Sequence, residues 1–248
     1  MAGHNKWSKV KHRKAVLDKR RSKVWSKVSR AMIVAARHGG ADPDSNLALR
    51  YAIDEARYAN MPRDTIERAI QKGAFGSDTE NYENMRYECY GPGGVAIIVD
   101  ALTNNRTRTI TDLRNAFNDY GGNVGSTGCV AYMFQPKGQV LVDGKELKED
   151  RVMQIAIDAG AIDVRPPDDE EEPVWTLISE VHDFAKFKAA IEAAKLPIIE
   201  SGLVMIPDTS SVLAGEHAKN FLALVDTLED LDDVQKVWSN AQISGEVE

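Results

Sequence analysis

Cysteine is scarce: Cys89 and Cys129 are the only two in 248 residues. Neither has a CxxC partner, and both fall in stretches patterned like strands. A disulfide framework and a zinc site are therefore not expected, and buried thiols in a reducing compartment are. Long apolar runs are missing too. No stretch reaches eighteen apolar residues, so a membrane-spanning helix is not expected, and no apolar signal-peptide core follows the start of the chain. The five histidines (His4, His12, His38, His182, His217) are scattered, with no HxxxH pair and no triad. Ser210-Ser211 lacks the setting of a nucleophile elbow. The carboxylate run 168–172 lies among Pro166, Pro167 and Pro173, as a solvated loop does. No catalytic residue, metal or cofactor is expected, and the chain does not read as an enzyme.

The most telling absence is that of acid at the N-terminal end. Among the first thirty residues Asp18 is the only acid, against eleven lysines and arginines. The other 218 residues carry 20 basic and 37 acidic side chains, and the whole chain has a net charge of -7. The cations are Lys6, Lys9, Lys11, Arg13, Lys14, Lys19, Arg20, Arg21, Lys23, Lys27 and Arg30, with His12 among them. Almost no acid stands one helical turn away to offset their repulsion. Such a segment neutralises phosphates and releases counterions, and Trp7 between the cations can stack on bases. A mitochondrial transit peptide is the other reading of a basic, acid-poor start. Those peptides are rich in Arg and Ser, whereas this segment is rich in Lys, carries Trp7 and Trp25, and runs into an amphipathic helix.

That helix shows in Val24, Val28, Ala31, Met32 and Ala35, spaced to make one apolar stripe, with Lys23, Lys27, Arg30 and Arg37 on a neighbouring face. Gly39-Gly40 stops it. A second helix, capped by Asp44 or Ser45, runs through Leu49, Ile53 and Ala56. A third starts near Pro62 and is expected to end at Gly73. Period-two strands follow: 85–89 and 95–102 around the Gly91–Gly94 turn, then, after a helix through Leu113 and Phe117, a strand over Cys129–Phe134. From Gln135 the order strand, helix, strand, strand, helix, strand is that of a ferredoxin-like unit. The expected class is α+β: a basic helical domain (1–80), a discontinuous α+β domain (81–134 with 207–248), and an inserted βαββαβ domain (135–206).

Two further stretches bear on anion binding. Thr103-Asn104-Asn105-Arg106-Thr107-Arg108 places Arg106 and Arg108 at the positive end of a helix dipole, about 0.3–1 kcal/mol in the unfavourable direction. A phosphate or an acidic partner resolves that conflict, as Asp100 or Asp112 answering the arginines in solvent also would. The Gly121–Gly128 turn can cradle an anion through backbone N–H groups. It lies between a helix and a strand and lacks the dinucleotide-binding and P-loop spacings, so a tight connection is the reading.

Met1-Ala-Gly-His-Asn-Lys-Trp-Ser with Lys11-His-Arg-Lys14, Gly91-Pro-Gly-Gly-Val-Ala-Ile-Ile98, Leu102-Thr-Asn-Asn-Arg-Thr107, Val130-Ala-Tyr-Met-Phe134 and Leu228-Glu-Asp-Leu-Asp-Asp-Val234 together resemble the YebC/PmpR family, which includes the mitochondrial translational activator of cytochrome c oxidase subunit I. The resemblance implies a three-domain α+β protein with a helical N-terminal domain. Family members are described as cytoplasmic DNA-binding transcriptional regulators, some acting instead in translation at the ribosome. It begins at Met1, so a bacterial cytosolic member is expected. The expected ligand is nucleic acid, either DNA or ribosomal RNA, with the ribosome as a partner in the second case and a protein-interaction module as a lesser reading. The expected contacts are the eleven cations with Trp7, His12, Arg106 and Arg108. No membrane partner is expected, and no coiled coil or other dimer device marks the chain, so a monomer is.

Overall fold

The computed structural model describes residues 14–76, 81–168 and 171–244, with side chains from 22 onward among the first of these. The chain opens with α1 (Lys14–Gly39), α2 (Leu47–Tyr58) and α3 (Arg63–Phe75). Val28, Met32 and Ala36, four residues apart on α1, are buried against Leu49, Ile53 and Ala56 of α2 and Ile66 and Ala69 of α3. The cap of α2 is Asn46, not Asp44 or Ser45. Its Oδ1 accepts from Leu49 N (3.1 Å), while its Nδ2 donates to Ala35 O and Gly40 O (both 2.8 Å), so one amide closes two helix ends. Gly73 does not end α3, which runs on to Phe75. A Cβ there would sit 2.4 Å from Ile33 O, so the glycine serves close approach of α3 to α1.

Next come β1 (Glu83–Tyr90) and β2 (Ala96–Thr103), an antiparallel pair joined by a tight turn in which Gly93 and Gly94 hold positive φ (71° and 77°). α4 (Arg106–Asp119) leads to the short β3 (Asn123–Val124), which pairs with β1. The chain returns to this sheet at its C-terminal end, where α7 (Gly215–Asp230) precedes β9 (Val234–Ser239) on the far edge of β2. The sheet order is β3-β1-β2-β9, and Ile97, Val99, Leu113, Phe117, Phe221 and Leu228 form its core with α4 and α7. A small parallel pair, β8 (Ser211–Leu213) with β10 (Ala241–Ile243), flanks it.

Cys129–Phe134 is not a strand. Residues Ala131–Met133 make a 3₁₀ turn, and extended chain begins at Phe134. Two backbone N–H groups of this stretch, with that of Gly128 just before it, are drawn to one carboxylate, described below, which curls it away from any ladder. The second sheet comprises β4 (Phe134–Asp143), β5 (Asp163–Arg165), β6 (Val174–Ser179) and β7 (Ile198–Pro207), with α5 (Glu149–Ala159) and α6 (Phe184–Ala193) as crossovers. Its order β5-β6-β4-β7, antiparallel throughout, is the ferredoxin-like arrangement, with Val140, Val142, Leu177, Phe184, Phe187 and Ile191 inside. Among the described residues no helix is long and apolar enough to cross a membrane.

Helix α2 ties the three parts together. Asp54 pairs with Lys188 of α6, both 7% exposed, and Glu55 pairs with Lys236 of β9. The Tyr58 hydroxyl lies 2.9 Å from Ser201 Oγ on β7, and the Tyr51 ring lies 5.4 Å from that of Phe184. The two adjacent acids of α2, Asp54 and Glu55, are thus each engaged with an element of a different sheet domain.

Candidate nucleic-acid interface

The predicted contact residues fall into four groups. Lys6, Trp7, Lys9, Lys11, His12 and Arg13 lie outside the described residues. Lys14, Lys19, Arg20 and Arg21 belong to the first turns of α1. Lys23, Lys27 and Arg30, spaced four and three apart, share one flank of α1, and that flank meets the end of α7. Lys23 Nζ donates to Asp230 O (3.3 Å) with Asp230 Oδ1 at 3.2 Å; Lys27 Nζ donates to Glu229 O (2.6 Å); Arg30 Nη1 donates to Asp232 O (2.8 Å). The last carbonyls of a helix have no partner within it and carry the negative end of its dipole. Lys23 and Lys27 of α1 supply that end of α7, and Arg30 a carbonyl of the turn just beyond it. Burial pushes the Lys27 ammonium down to about 8, against the opposing pull of Glu229, Asp232 and Asp230.

The fourth group, Arg106 and Arg108, meets acids of the same chain. Arg106 pairs with Glu83 of β1, both exposed. Arg108 forks onto Asp233, with Nη2 at 2.7 and 3.0 Å from the two oxygens and Nε at 3.2 Å. Asp233 also accepts from the hydroxyls of Thr103 (3.1 Å) and Thr109 (2.8 Å), and Arg30 Nη1 stands 3.6 Å away. Burial alone would raise this carboxyl, but the bonds from Arg108, Thr109 and Thr103 outweigh it and hold it below the usual range. The acidic partner that the sequence of this helix start calls for is thus Asp233, not Asp100 or Asp112. Asp100 is instead forked by Arg86.

The glycine-rich turn is also answered from within. Glu88, 6% exposed, accepts from Gly128 N (2.6 Å), Val130 N (2.7 Å) and Ala131 N (2.7 Å). Burial works against its charge, yet the three N–H groups prevail and keep it ionised below the ordinary value. Sequence reasoning missed Glu88 and Asp233 because their partners lie 40 to 43 and 125 residues away. The only signal was an acid inside an apolar strand and one just after a helix. Cys89 and Cys129 are free thiols, and burial pushes Cys89 up to about 12. No group of three His, Cys, Asp or Glu among the described residues is arranged to hold a metal.

Two clefts border α1. One, about 600 Å³, lies against the closed flank and has Asp112, Asp230, Asp232 and Asp233 in its wall beside Lys23, Arg30 and Arg108. The other, about 450 Å³, lies along the neighbouring flank between α1, Lys72 of α3 and Tyr82, and among the described residues no acid lines it. Arg30 borders both, its guanidinium 5.4 Å from the centre of the Tyr82 ring.

Residues 5–76 match the family described as TACO1/YebC protein N-terminal domain, and residues 82–241 match TACO1/YebC second and third domain. The chain is 48% identical over 243 residues to a probable transcriptional regulatory protein of Ralstonia pickettii, covering 98% of this chain and 99% of that one. It is 49% identical over 240 residues to one from Bordetella pertussis, covering 97% of each. The crystal structure of a conserved hypothetical protein from Aquifex aeolicus shares 40% identity and superposes with a TM-score of 0.85, over 96% of this chain and 97% of the other.

Proposed function

The chain belongs to the TACO1/YebC family, and from that premise we propose that it is a regulator of gene expression that binds nucleic acid through its basic N-terminal end. The observation that carries this reading is the way charge is disposed. In the folded body three of the eleven N-terminal cations, with Arg106 and Arg108, are satisfied by carbonyls and carboxylates of the same chain. Eight cations, Lys6 to Arg21, stand ahead of that flank with Asp18 as the sole acid among them. Their mutual repulsion is relieved by a polyanion. The acidic remainder repels that polyanion elsewhere and confines contact to one end.

Relatives carry the name probable transcriptional regulatory protein, so DNA is the first ligand of this reading, with the protein acting as a cytoplasmic monomer and not as an enzyme. One observation favours ribosomal RNA as the second. A helix-turn-helix reader needs a helix free to enter the major groove. Here α2 is pinned to both sheets through Asp54, Glu55 and Tyr58 and is not free to enter a groove, which supports contact through phosphates.

Ultraviolet crosslinking in growing cells, followed by sequencing of the attached nucleic acid, tests the reading. A small set of promoter segments supports the transcriptional form. Recovery dominated by ribosomal RNA supports the translational one. Absence of any crosslinked nucleic acid refutes both.

A further inference from the structure

Helix α7 breaks a local rule at its end. Its last turn carries Glu229 and Asp230 and no basic residue, and Asp232 and Asp233 follow directly. Four acids in five residues thus stand at the negative end of the helix dipole. A helix end built only for stability carries its own cations there, and departures of this kind concentrate at functional contacts. The cations come instead from α1. Lys23 Nζ lies 3.2 Å from Asp230 Oδ1, and Lys27 Nζ donates to Glu229 O at 2.6 Å. Arg30 Nη1 donates to Asp232 O at 2.8 Å, with Asp233 Oδ1 at 3.6 Å. Lys23 and Lys27 continue a spacing of four that starts at Lys19, so the ridge held by these acids prolongs the basic end along the same helix. The contact is polar. The apolar cluster of the N-terminal helices and that of the first sheet share no residue, and the 600 Å³ cleft runs beside the seam. The Lys23 and Asp230 side chains are 47% and 50% exposed, and pairs of this kind are weak, screened by salt and readily exchanged.

We propose that the acidic segment Glu229–Asp233 is a built-in competitor of the nucleic acid: it occupies the Lys23, Lys27 and Arg30 ridge of α1, and a phosphate strand extending from the basic end takes that ridge by displacing it. Resting on the nucleic-acid reading above, this adds how the basic end is regulated. The segment offers the ridge what a strand backbone offers, a row of anionic and polar oxygens. The cations that meet it span about 10 Å from Lys23 to Arg30, at 1.5 Å per residue. Displacement need not undock the N-terminal helices, because α2 stays held to the body through Lys188 and Lys236. Asp233 also stays in place, on Arg108, Thr103 and Thr109, so Asp230 and Asp232 are the exchangeable acids. Each exchange returns the end of α7 to an unanswered dipole, and that cost is what restrains binding. A contact that only docks α1 on α7 would be indifferent to nucleic acid.

The test uses the full-length protein with a short DNA duplex and a short RNA hairpin. A carbodiimide joins touching amines and carboxylates without a spacer. On the unmodified chain it is expected to link Lys23 to Asp230, and Lys137 to Glu180, which lie 2.7 Å apart in the inserted domain. Saturation with whichever probe binds is expected to lower the first crosslink several-fold and to leave the second unchanged, a readout that depends on no variant folding. In fluorescence anisotropy, Asp230→Asn with Asp232→Asn is expected to bind about tenfold tighter than the parent, as when the competent state rises from about a tenth to nearly all of the population. Adding Lys23→Gln and Lys27→Gln is expected to cancel that gain. Glu146→Gln with Glu149→Gln, at exposed acids of the inserted domain, removes the same charge and is expected to bind as the parent does. The competitor is refuted if nucleic acid binds the parent but leaves the Lys23–Asp230 crosslink unchanged, or if the Asp230, Asp232 variant binds no tighter than the charge-matched one; the nucleic-acid reading then stands. Absence of that crosslink in the protein alone overturns the contact itself. If neither the parent nor the Asp230, Asp232 variant binds either probe, the competitor and the nucleic-acid reading both fall.

Discussion

Replacing Asp233 by alanine removes the shared acceptor of Arg108, Thr103 and Thr109 in one step. A hydrogen bond between charged groups contributes about 1.5–3 kcal/mol when shielded from water. The Arg108 side chain is 46% exposed, however, so water recovers its donors and its share falls toward the surface value, about 1 kcal/mol or less. The threonines differ. Thr103 and Thr109 are 0% and 2% exposed; without Asp233 the Thr103 hydroxyl can donate to Thr109 Oγ1 (2.8 Å) and the Thr109 hydroxyl to Asn105 O (3.1 Å), so each proton keeps an acceptor but two buried hydrogen bonds to the carboxylate are lost. That costs about 1–2 kcal/mol. The total expected for Asp233→Ala is about 2–3 kcal/mol, and about half of that for Asp233→Asn, which keeps one acceptor oxygen. Urea unfolding followed by circular dichroism measures it. Combining Asp233→Ala with Arg108→Gln is expected to cost less than the sum of the two, because both remove the same ion pair. A loss below about 0.5 kcal/mol for Asp233→Ala, in the range of an ordinary surface change, would refute the account of this carboxylate as the anion of the α4 start.

Changing Lys6, Lys9, Lys11, Arg13 and Lys14 to Gln is expected to weaken duplex binding strongly and to reduce the salt slope by about 0.9 for each phosphate no longer neutralised, read from titrations at several salt concentrations. Glu88→Gln keeps the shape but turns an amide N–H₂ toward a backbone N–H, at a cost of about 2–3 kcal/mol in urea unfolding. Glu88 and Asp233 are both held below their ordinary values, so their contribution is complete above about pH 4 and is lost as pH falls through the lower folded values. Acid unfolding of Glu88→Gln should therefore be less steep than that of the parent. Lys27 has the opposite dependence. Folding brings it from 10.5 to about 8, so between those values the unfolded chain binds more protons and the Lys27 contribution to stability rises with pH. Relative to Lys27→Met, the parent should gain stability between about pH 8 and 10.5; an equal pH dependence of the two would contradict the burial of this ammonium.

Much of the architecture was legible because it is written in local periods. The 3.6-residue stripe placed Val28 and Met32 in the core without reference to distant chain, although Val24 at its start is exposed and Ala36 is buried more deeply than Ala35, and the apolar run along β2 did the same for that strand. The order of elements from Gln135 was enough to name a ferredoxin-like unit. The errors have a common cause. Asn46 displaced Asp44 and Ser45 as a cap through carbonyls of the preceding helix, Gly73 serves a neighbouring helix, and Glu88 bends 128–131 out of a strand. Each was decided by a residue outside the local window, where propensity has no reach.

The candidate site divides along the same line. The sequence by itself determined that one end of this protein is cationic and the rest acidic, and that a helix start carrying Arg106 and Arg108 calls for a negative partner. Those are properties of residue type and near spacing. Only the tertiary structure decided which anion each stretch meets: Asp233 for Arg108, Glu88 for the glycine turn, and the end of α7 for Lys23, Lys27 and Arg30. The reason is that charge pairing depends on distance through space, and the fold brings residue 233 to residue 108 as firmly as a helix brings residue 27 to residue 23.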